Sequence, residues 1–460
     1  MTPDPSASIP TLPSPPAYTL GPFALLLVSI AVLPLLPRVA HWWERNSSKF
    51  MVSTALGCVG IAMLWFTRGG SDAWHAVGHA AEDFIPFIVL LGSLYVIAGG
   101  ILITGSPKAS PIFNTGVLAL GAVLANVLGT TGASMVLIRP LLRANQQRKY
   151  RVHTVVFFIF VVSNMGGLLL PIGDPPLFLG YLRGVPFTWT LELWHVWVTA
   201  VGCVLLVHLA LDTVLLRRAR AAGATPPPEP GAPEVLEADQ LDPLRFAGAL
   251  NVLWLLGVVW ATAVLVPGNR MELTGWKVSA GAREAVTIFC ALASLATTPA
   301  AVRQQNHFTW GPIVEVAALF GGLFLAMQPA LELLVARGSA LGMDTPAELF
   351  WATGVLSSFL DNAPTYLVFA QVAAAITPSS MAGAVPFESG AIAPALLAAV
   401  STGAVFMGAN TYIGNGPNLM VAAIARSEGV RMPTFFGYMA WSAGILLPLF
   451  ALLTWLFFWG

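Results

Sequence analysis

The chain has little charge: Asp, Glu, Lys and Arg make up only 10% of its 460 residues, and 22 basic residues balance 22 acidic ones. A soluble protein of this size carries roughly 25% charged residues. The zero net charge gives no overall field that would attract nucleic acid. Because 56% of the residues are hydrophobic, the composition predicts an all-α integral membrane protein.

Cysteines and enzyme motifs are also scarce. The three cysteines lie far apart inside apolar runs and are interpreted as small buried side chains: Cys58, Cys203 and Cys290. The sequence has no phosphate-binding loop, no glycine-rich nucleotide turn and no His/Cys metal spacing. We therefore expect no enzyme and no cofactor, only transport driven by an ion gradient. Three histidines are interpreted as packing or interface residues: His153, His195 and His208.

Twelve apolar runs are each long enough, at about 20 residues, to cross a bilayer. If all twelve cross, the 22 Lys and Arg residues divide 11 to 11 between the two sides, without the bias that the positive-inside rule requires. If the runs 113–143 and 346–376 are re-entrant hairpins, the division becomes 16 to 6. Both runs have polar, helix-breaking centres, "NVLGTTGAS" and "FLDNAPT". The charges favour ten crossings of the cell (inner) membrane, with both termini outside the cytoplasm.

The same layout makes the chain an inverted repeat. A flexible Pro/Ser-rich segment, 1–19, precedes a first repeat, 20–216, and a cytoplasmic linker, 217–244, leads to a second repeat, 245–460. Each repeat holds an odd number of crossings and one hairpin, so the second must be inverted relative to the first. Inverted repeats with paired broken helices are typical of secondary transporters, whose sites lie at the midplane between the repeats.

The fifth and eleventh runs, 153–182 and 391–425, are too long for straight spans, and each contains a break. Aligning "IGDPP" with "IGNGP" pairs Asp174 with Asn415. The prolines remove backbone donors, so nearby carbonyls, including that of Gly173, lose helical partners. Such carbonyls, together with Asn, Ser, Thr and Asp oxygens, suit a small hard cation such as Na⁺. The alternative is a proline kink with a capping aspartate.

Two further carboxylates fall within or near apolar runs. Asp361 stands at the tip of the second hairpin, where Thr130 occupies the equivalent position in the first. An ionisable group at the bilayer centre costs at least about 2.5–3.5 kcal/mol. We therefore interpret Asp361 as functional, although capping of the returning helix is compatible with that role. Glu315 is a candidate proton relay, with an interfacial carboxylate as the alternative.

These motifs resemble those of the ion transporter superfamily, which includes NhaD-type Na⁺/H⁺ antiporters, arsenite-permease-related proteins, citrate-metal symporters (CitMHS) and dicarboxylate symporters. "GTTGAS" and "DNAPT" resemble its hairpin tips, and "SNMGG…IGDPP" and "ANTYIGNGPN" resemble its two unwound helices. The similarity in layout covers about 20–459. The first tip reads Gly-Thr-Thr-Gly where the superfamily has Ser-Asn-Thr, and Asp174 replaces the threonine of the Thr-Pro-Pro motif in the dicarboxylate branch.

The resemblance implies two Na⁺ sites, a scaffold with a sliding, elevator-type transport domain, and a homodimer. The first site would use Asn126, Thr130, Thr131, Ser134, Ser163, Asn164 and Asp174. The second would use Asp361, Asn362, Thr365, Asn410, Thr411, Asn415 and Asn418.

Two acidic groups at matched breaks, without an intramembrane Lys or Arg, favour a Na⁺/H⁺ antiporter. In this hypothesis Na⁺ and H⁺ compete for Asp174 and Asp361, and the partners are the lipid bilayer and small cations. The alternative is a cation-coupled symporter for citrate or a related carboxylate anion, held by helix N-termini. An alternative from another class is a gated ion channel that uses the same hairpins.

Overall fold

The computed structural model is 77% helical, which confirms an all-α membrane protein. It describes residues 15–36, 38–43, 45–105, 109–221, 245–268, 270, 275, 277–378 and 380–459. Most of the Pro/Ser-rich segment, residues 1–14, and most of the linker, residues 222–244, lie outside these residues.

The first half of the chain contributes eight labelled helices to the described residues. They are α1 Gly21–Val32, α2 Ala40–Trp43, α3 Asn46–Arg68, α4 Gly70–Gly99, α5 Pro111–Ala144, α6 Val152–Val161, α7 Pro175–Leu182 and α8 Trp194–Ala221. Single 3₁₀ turns occupy Ala17–Leu20, Leu33–Leu35, Met165–Leu168 and Trp189–Leu193.

The second half contributes nine. They are α9 Leu250–Val264, α10 Ala282–Thr297, α11 Ala300–Gln305, α12 Gly311–Arg337, α13 Pro346–Phe359, α14 Asn362–Ile376, α15 Pro394–Met407, α16 Gly416–Ser427 and α17 Phe435–Leu453. Two 3₁₀ turns and a π-helical turn lie at Gly338–Leu341, Gly408–Asn410 and Thr454–Phe458. The short strands β1 Leu102–Thr104 and β2 Arg245–Ala247 pair antiparallel, as do β3 Val385–Phe387 and β4 Gly390–Ile392.

Six helical segments of the described chain are long and apolar enough to cross a membrane: Asn46–Arg68, Gly70–Gly99, Pro111–Ala144, Trp189–Ala221, Gly311–Leu334 and Phe435–Phe458. Four shorter apolar helical segments accompany them: Ala17–Ile30, Val152–Leu168, Leu250–Val264 and Pro394–Asn410. The chain is therefore a multi-pass membrane protein, whereas the count of ten crossings and the orientation of the termini stay predictions.

Helix α5 is a hairpin, because its two ends meet. Asn114 and Asn145 exchange side-chain hydrogen bonds of 2.9 and 2.8 Å, although a straight helix would hold residues 31 apart at about 46 Å. The chain reverses at Gly129, whose φ of 73° and ψ of 156° are not helical. Only glycine adopts this region of the backbone map without strain, so Gly129 permits the tip.

The second hairpin consists of α13 and α14, with its tip at Leu360 and Asp361. A Cβ added to Gly338, just before α13, would lie 3.1 Å from the Ala375 side chain near the end of α14. The chain therefore returns to the level at which it started. This tip needs no left-handed residue, since Leu360 has a φ of −111° and Asp361 a φ of −57°.

Two packed layers organise the helices. In one layer, α3, α4 and α12 pack together, and Phe87 of α4 stacks on Phe320 of α12 at a centroid distance of 4.9 Å. In the other, the two hairpins pack against the broken pairs α6–α7 and α15–α16. The broken helices therefore pack mainly on the hairpins, and this second layer contains the candidate site.

Candidate functional site

Asp174 lies at the centre of the second layer and is 1% exposed. It is the N-cap residue of α7, with an extended backbone (φ −145°, ψ 143°). Its side chain makes no capping hydrogen bond to the helix, because both carboxylate oxygens point to other elements. The capping-aspartate alternative therefore does not describe its contacts.

Three uncharged side chains donate hydrogen bonds to the Asp174 carboxylate. Thr130, at the first hairpin tip, donates to Oδ1 at 2.8 Å. Asn362, at the second tip, donates to Oδ2 at 2.5 Å. Asn415, the N-cap of α16, donates to Oδ1 at 3.2 Å. The two hairpin tips and the two interrupted helices therefore meet at one carboxylate. These contacts join residues that the resemblance divides between two sites.

The first hairpin tip is also tied to the break by its backbone. The Thr130 amide donates to the Gly173 carbonyl at 2.9 Å, so one of the carbonyls freed by the prolines is satisfied. The approach is close, since a Cβ on Gly173 would lie 2.3 Å from the Gly167 carbonyl oxygen. Both glycines are required by this packing.

The other predicted residues of the first set surround this centre. Asn126 accepts a hydrogen bond from the Leu169 amide at 2.7 Å, and the Ser134 and Ser163 hydroxyls lie 2.9 Å apart. Thr131 is half-buried beside the tip. Together these contacts hold the first hairpin against the unwound segment between α6 and α7.

Asn164 links the two halves of the chain directly. Its Nδ2 donates to Asn418 Oδ1 at 2.8 Å, and its Oδ1 accepts from Asn415 Nδ2 at 3.2 Å. Asn418 in turn donates to the carbonyls of Gly408 and Thr411 at 2.9 Å each. The two unwound segments are therefore joined by a buried amide network.

Asp361 is the N-cap of α14 and is partly exposed, with its Oδ1 accepting from the Ala363 amide at 3.1 Å. Thr365 donates to the Asp361 carbonyl at 3.0 Å. Asp361 therefore performs the capping role, and no hydrogen bond joins it to Asp174 among the described residues. The cap uses one carboxylate oxygen, so cation binding by Asp361 stays a prediction.

Ser358 is a site residue that the sequence analysis missed. Its hydroxyl accepts from Asn410 at 2.9 Å, and its carbonyl accepts from Thr411 Oγ1 at 2.5 Å. These contacts tie the second hairpin to the break between α15 and α16. The sequence signal for this role is the position of Ser358 in "SSFLDNAPT" (357–365), a few residues before the tip.

Two buried amide oxygens near this centre have no hydrogen-bond donor within the described part of the chain. They are Asn362 Oδ1 and Asn410 Oδ1. A buried acceptor left without a partner costs about 1–3 kcal/mol, and such atoms call for an explanation in the form of a bound ion or water. Amide oxygens are ligands that hard cations prefer, so each of these two oxygens is a candidate cation ligand.

Glu315 lies away from these contacts, in the first layer. It forms an ion pair with Lys49, joining α12 to α3, and its side chain is 45% exposed. The structure therefore places it at a helix–helix interface instead of with Asp174.

A polar cavity of about 360 Å³ opens beside the second hairpin. Its lining includes Arg183, Gln371 and Glu388. Arg183 and Gln371 follow Asp174 and Asn362 by nine residues each, or about 13 Å along a helix. Arg183 also forms ion pairs with Asp83 and Glu388. The cavity therefore lies one helix length from the site.

The architecture and the site together define a class of protein: a multi-pass helical transporter with its polar site at paired chain breaks. A family model described as "Putative citrate transport" (CitMHS_2) matches residues 14–458, so the chain belongs to this family. This finding confirms the resemblance to citrate-transporter-like members of the ion transporter superfamily. No protein of curated function matches the chain.

Proposed function

We propose that this protein is a cation-coupled secondary transporter that exchanges Na⁺ for H⁺ at Asp174. One observation carries the proposal: a carboxylate that is 1% exposed receives hydrogen bonds only from Thr130, Asn362 and Asn415 within the described chain. None of these donors is charged. A buried, uncompensated carboxylate is costly, so a bound cation or a proton would relieve it.

A second buried aspartate of the same molecule, Asp212, has its negative charge compensated by an arginine. Asp212 is fully buried, yet it accepts from the Arg148 guanidinium at 2.8 Å. No Lys or Arg ion pair of this kind reaches Asp174 among the described residues. The carboxylate at the breaks is therefore available to a mobile cation.

Competition between two cations follows from this chemistry. Burial disfavours the ionised carboxylate, so a proton binds when Na⁺ is absent, and Na⁺ replaces the proton when its concentration is high enough. The orphaned oxygens of Asn362 and Asn410 add neutral ligands for Na⁺ that a proton does not need. Loading Na⁺ on one side of the membrane and H⁺ on the other gives antiport.

The second candidate is cation-coupled symport of citrate or a related carboxylate, which the family description suggests. One structural observation favours it. Asp174, Asp361 and Asn415 are N-caps of α7, α14 and α16, so three helix N-termini begin around the site. Each carries about half a positive charge, and together they suit an anion once a cation has neutralised Asp174.

The test uses the full chain in proteoliposomes that contain a pH-sensitive dye, with an inward-acid gradient imposed. Na⁺, Li⁺ or K⁺ is added without any anion, and citrate is added afterwards. Collapse of the gradient by Na⁺ alone supports antiport. A dye signal that appears only with citrate overturns antiport in favour of symport.

Two variants make the assay specific to the site. Asp174→Asn removes the charge and keeps the shape of the side chain, so it should abolish Na⁺-dependent proton movement. Asp344→Asn makes the same chemical change at an exposed position before α13 and should transport like the parent. A steady current in the absence of any coupled solute would indicate a channel.

A further inference from the structure

Within the described chain, one group of three metal-ligating side chains is fully buried and lies outside the Asp174 site. It consists of His153 on α6 with His208 and Asp212 on α8. One ligand atom from each residue lies within 4.8 Å of the others. We propose that this cluster binds a divalent transition-metal ion that suits imidazole and carboxylate ligands, such as Zn²⁺.

The positions of the ligands in the sequence support the proposal. His208 and Asp212 are four residues apart on α8, so they lie one turn apart on the same helix face. His153 reaches the cluster from the start of α6, and its Nε2 lies 2.9 Å from Asp212 Oδ1. Two imidazoles and a carboxylate are a common three-ligand set for zinc.

An orphaned atom points to a missing partner. His208 Nε2 is buried and has no hydrogen-bond partner within the described residues, and the whole residue is 0% exposed. Its other nitrogen, Nδ1, lies 2.8 Å from Thr115 Oγ1. When Nδ1 donates to this hydroxyl, Nε2 carries a lone pair and is ready to bind a metal.

The surroundings match the outer contacts that metal ligands normally have. Metal-binding histidines donate their second N–H to an oxygen, and ligating carboxylates are themselves hydrogen-bonded. Thr115 fills the first role for His208. Arg148 and Asn114 fill the second, at 2.8 and 3.0 Å from Asp212 Oδ2, which leaves Oδ1 on the side of the imidazoles.

Only a small movement is needed for coordination. Zinc bonds of about 2.0–2.2 Å in a tetrahedral site place ligand atoms about 3.3–3.6 Å apart. Separations of up to 4.8 Å would therefore shorten by about an ångström or more, and His153 Nε2 and Asp212 Oδ1, now 2.9 Å apart, would separate slightly. His153 must move its proton from Nε2 to Nδ1, and the fourth ligand position remains for water. The metal would join α6 to α8 at the mouth of the first hairpin, where Asn114 and Asn145 meet.

The experiment measures metal binding and not transport, so its outcome is independent of the proposed function. The full chain is purified in detergent, stripped with a chelator, incubated with Zn²⁺ and desalted. We expect one zinc per chain by elemental analysis and a higher midpoint of thermal unfolding with zinc than with chelator. A parent protein that retains no zinc and shows no shift overturns the proposal and leaves a hydrogen-bonded cluster without a metal.

Matched variants locate the metal. His208→Ala should lose the bound zinc and the shift of the unfolding midpoint, and Thr115→Val should weaken zinc binding by about 10–100-fold, as outer contacts do. His195→Ala changes an exposed histidine on the same helix and should retain both. Loss of zinc in His195→Ala with retention in His208→Ala would contradict the assignment. If His208→Ala does not fold, the Co²⁺-loaded parent and Thr115→Val decide together. Four-coordinate Co²⁺ gives intense ligand-field bands that Zn²⁺ abolishes by displacement, and Thr115→Val should weaken the binding that these bands report.

Discussion

The two halves of the chain build the same backbone at their breaks but place different side chains on it. Asp174 and Asn415 have nearly identical extended conformations, with φ, ψ of −145°, 143° and −154°, 140°. Each is the N-cap of a half-helix with proline in its first turn. The two breaks therefore share one backbone geometry, and the difference between Asp174 and Asn415 decides which break carries the charge.

The hairpin tips differ more than the breaks. The first tip turns at Gly129 with a positive φ and bonds to its break through the Thr130 amide. The second turns without a positive φ and bonds to its break through the side chains of Asn410 and Thr411. The two amide oxygens without a donor, on Asn362 and Asn410, both belong to the second half. The first half supplies the buried Asp174 carboxylate, and the second half supplies the two amide oxygens together with the partly exposed Asp361 carboxylate.

The largest expected effect comes from moving the charge between the halves. Asp174→Asn should lower Na⁺-dependent transport by about 30-fold or more, because bound Na⁺ would lose the one charged partner proposed for it in the buried site, and losing such a partner costs about 2–5 kcal/mol. The double variant Asp174→Asn/Asn415→Asp returns a carboxylate to the matched position, and we expect part of the transport to return. Sodium-driven dye response in proteoliposomes measures both.

The double variant also has an outcome that would contradict this expectation. If the double variant transports no better than Asp174→Asn, although both reconstitute equally well, the halves are not equivalent in function. The charge would then have to be next to the first hairpin tip.

The second prediction tests the difference between the tips. Gly129→Ala should destabilise the protein by about 1–3 kcal/mol, since the ψ of 156° at positive φ belongs to a region that only glycine occupies readily, and should slow transport. Gly116→Ala, on the same helix with open space around its Cα, should be neutral or slightly stabilising. Thermal unfolding in detergent measures both; equal midpoints would show that the tip tolerates a side chain.

The sequence predicts the hairpins and the breaks because their signals are local. Proline, glycine and asparagine in "IGDPP", "IGNGP" and "FLDNAPT" interrupt apolar runs, and each interruption is visible without knowledge of its neighbours. The identity of Asp174 as a buried carboxylate at a break is also local information.

The partners of Asp174 could not be predicted in the same way. Asn362 is 188 residues away from it and Asn415 is 241 residues away, and no periodic pattern encodes which tip contacts which break. The resemblance implies one site for each tip and its own break. The structure keeps those contacts and also joins Asn362 and Asn415 to Asp174. The role of Ser358 depends on the same long-range packing.

The third prediction separates charge from capping at the second tip. Asp361→Asn should fold normally, because asparagine caps a helix as well as aspartate does. We expect the Na⁺ concentration for half-maximal transport to rise roughly fivefold, since the lost charge contributes on the order of 1 kcal/mol near the site. Initial rates over a Na⁺ series measure this; an unchanged half-maximal concentration would leave Asp361 with the capping role alone.

The smallest effect is expected where the halves differ at a distance from the breaks. The similarity of "LLGSLYVIAGGI" (90–101) to "LFGGLFLAMQPA" (319–330) predicts that Glu315 of the second half aligns with Pro86 of the first. If so, only one half has a carboxylate at this position. Its partner is Lys49, and its side chain is 45% exposed. Glu315→Gln leaves the Lys49 ammonium, whose side chain is only 8% exposed, without its charged partner. It should therefore lower stability by about 1–3 kcal/mol, and it should leave transport within about twofold of the parent. A much larger loss of proton movement, at unchanged stability, would make Glu315 a proton relay and show that asymmetry outside the breaks also contributes to function.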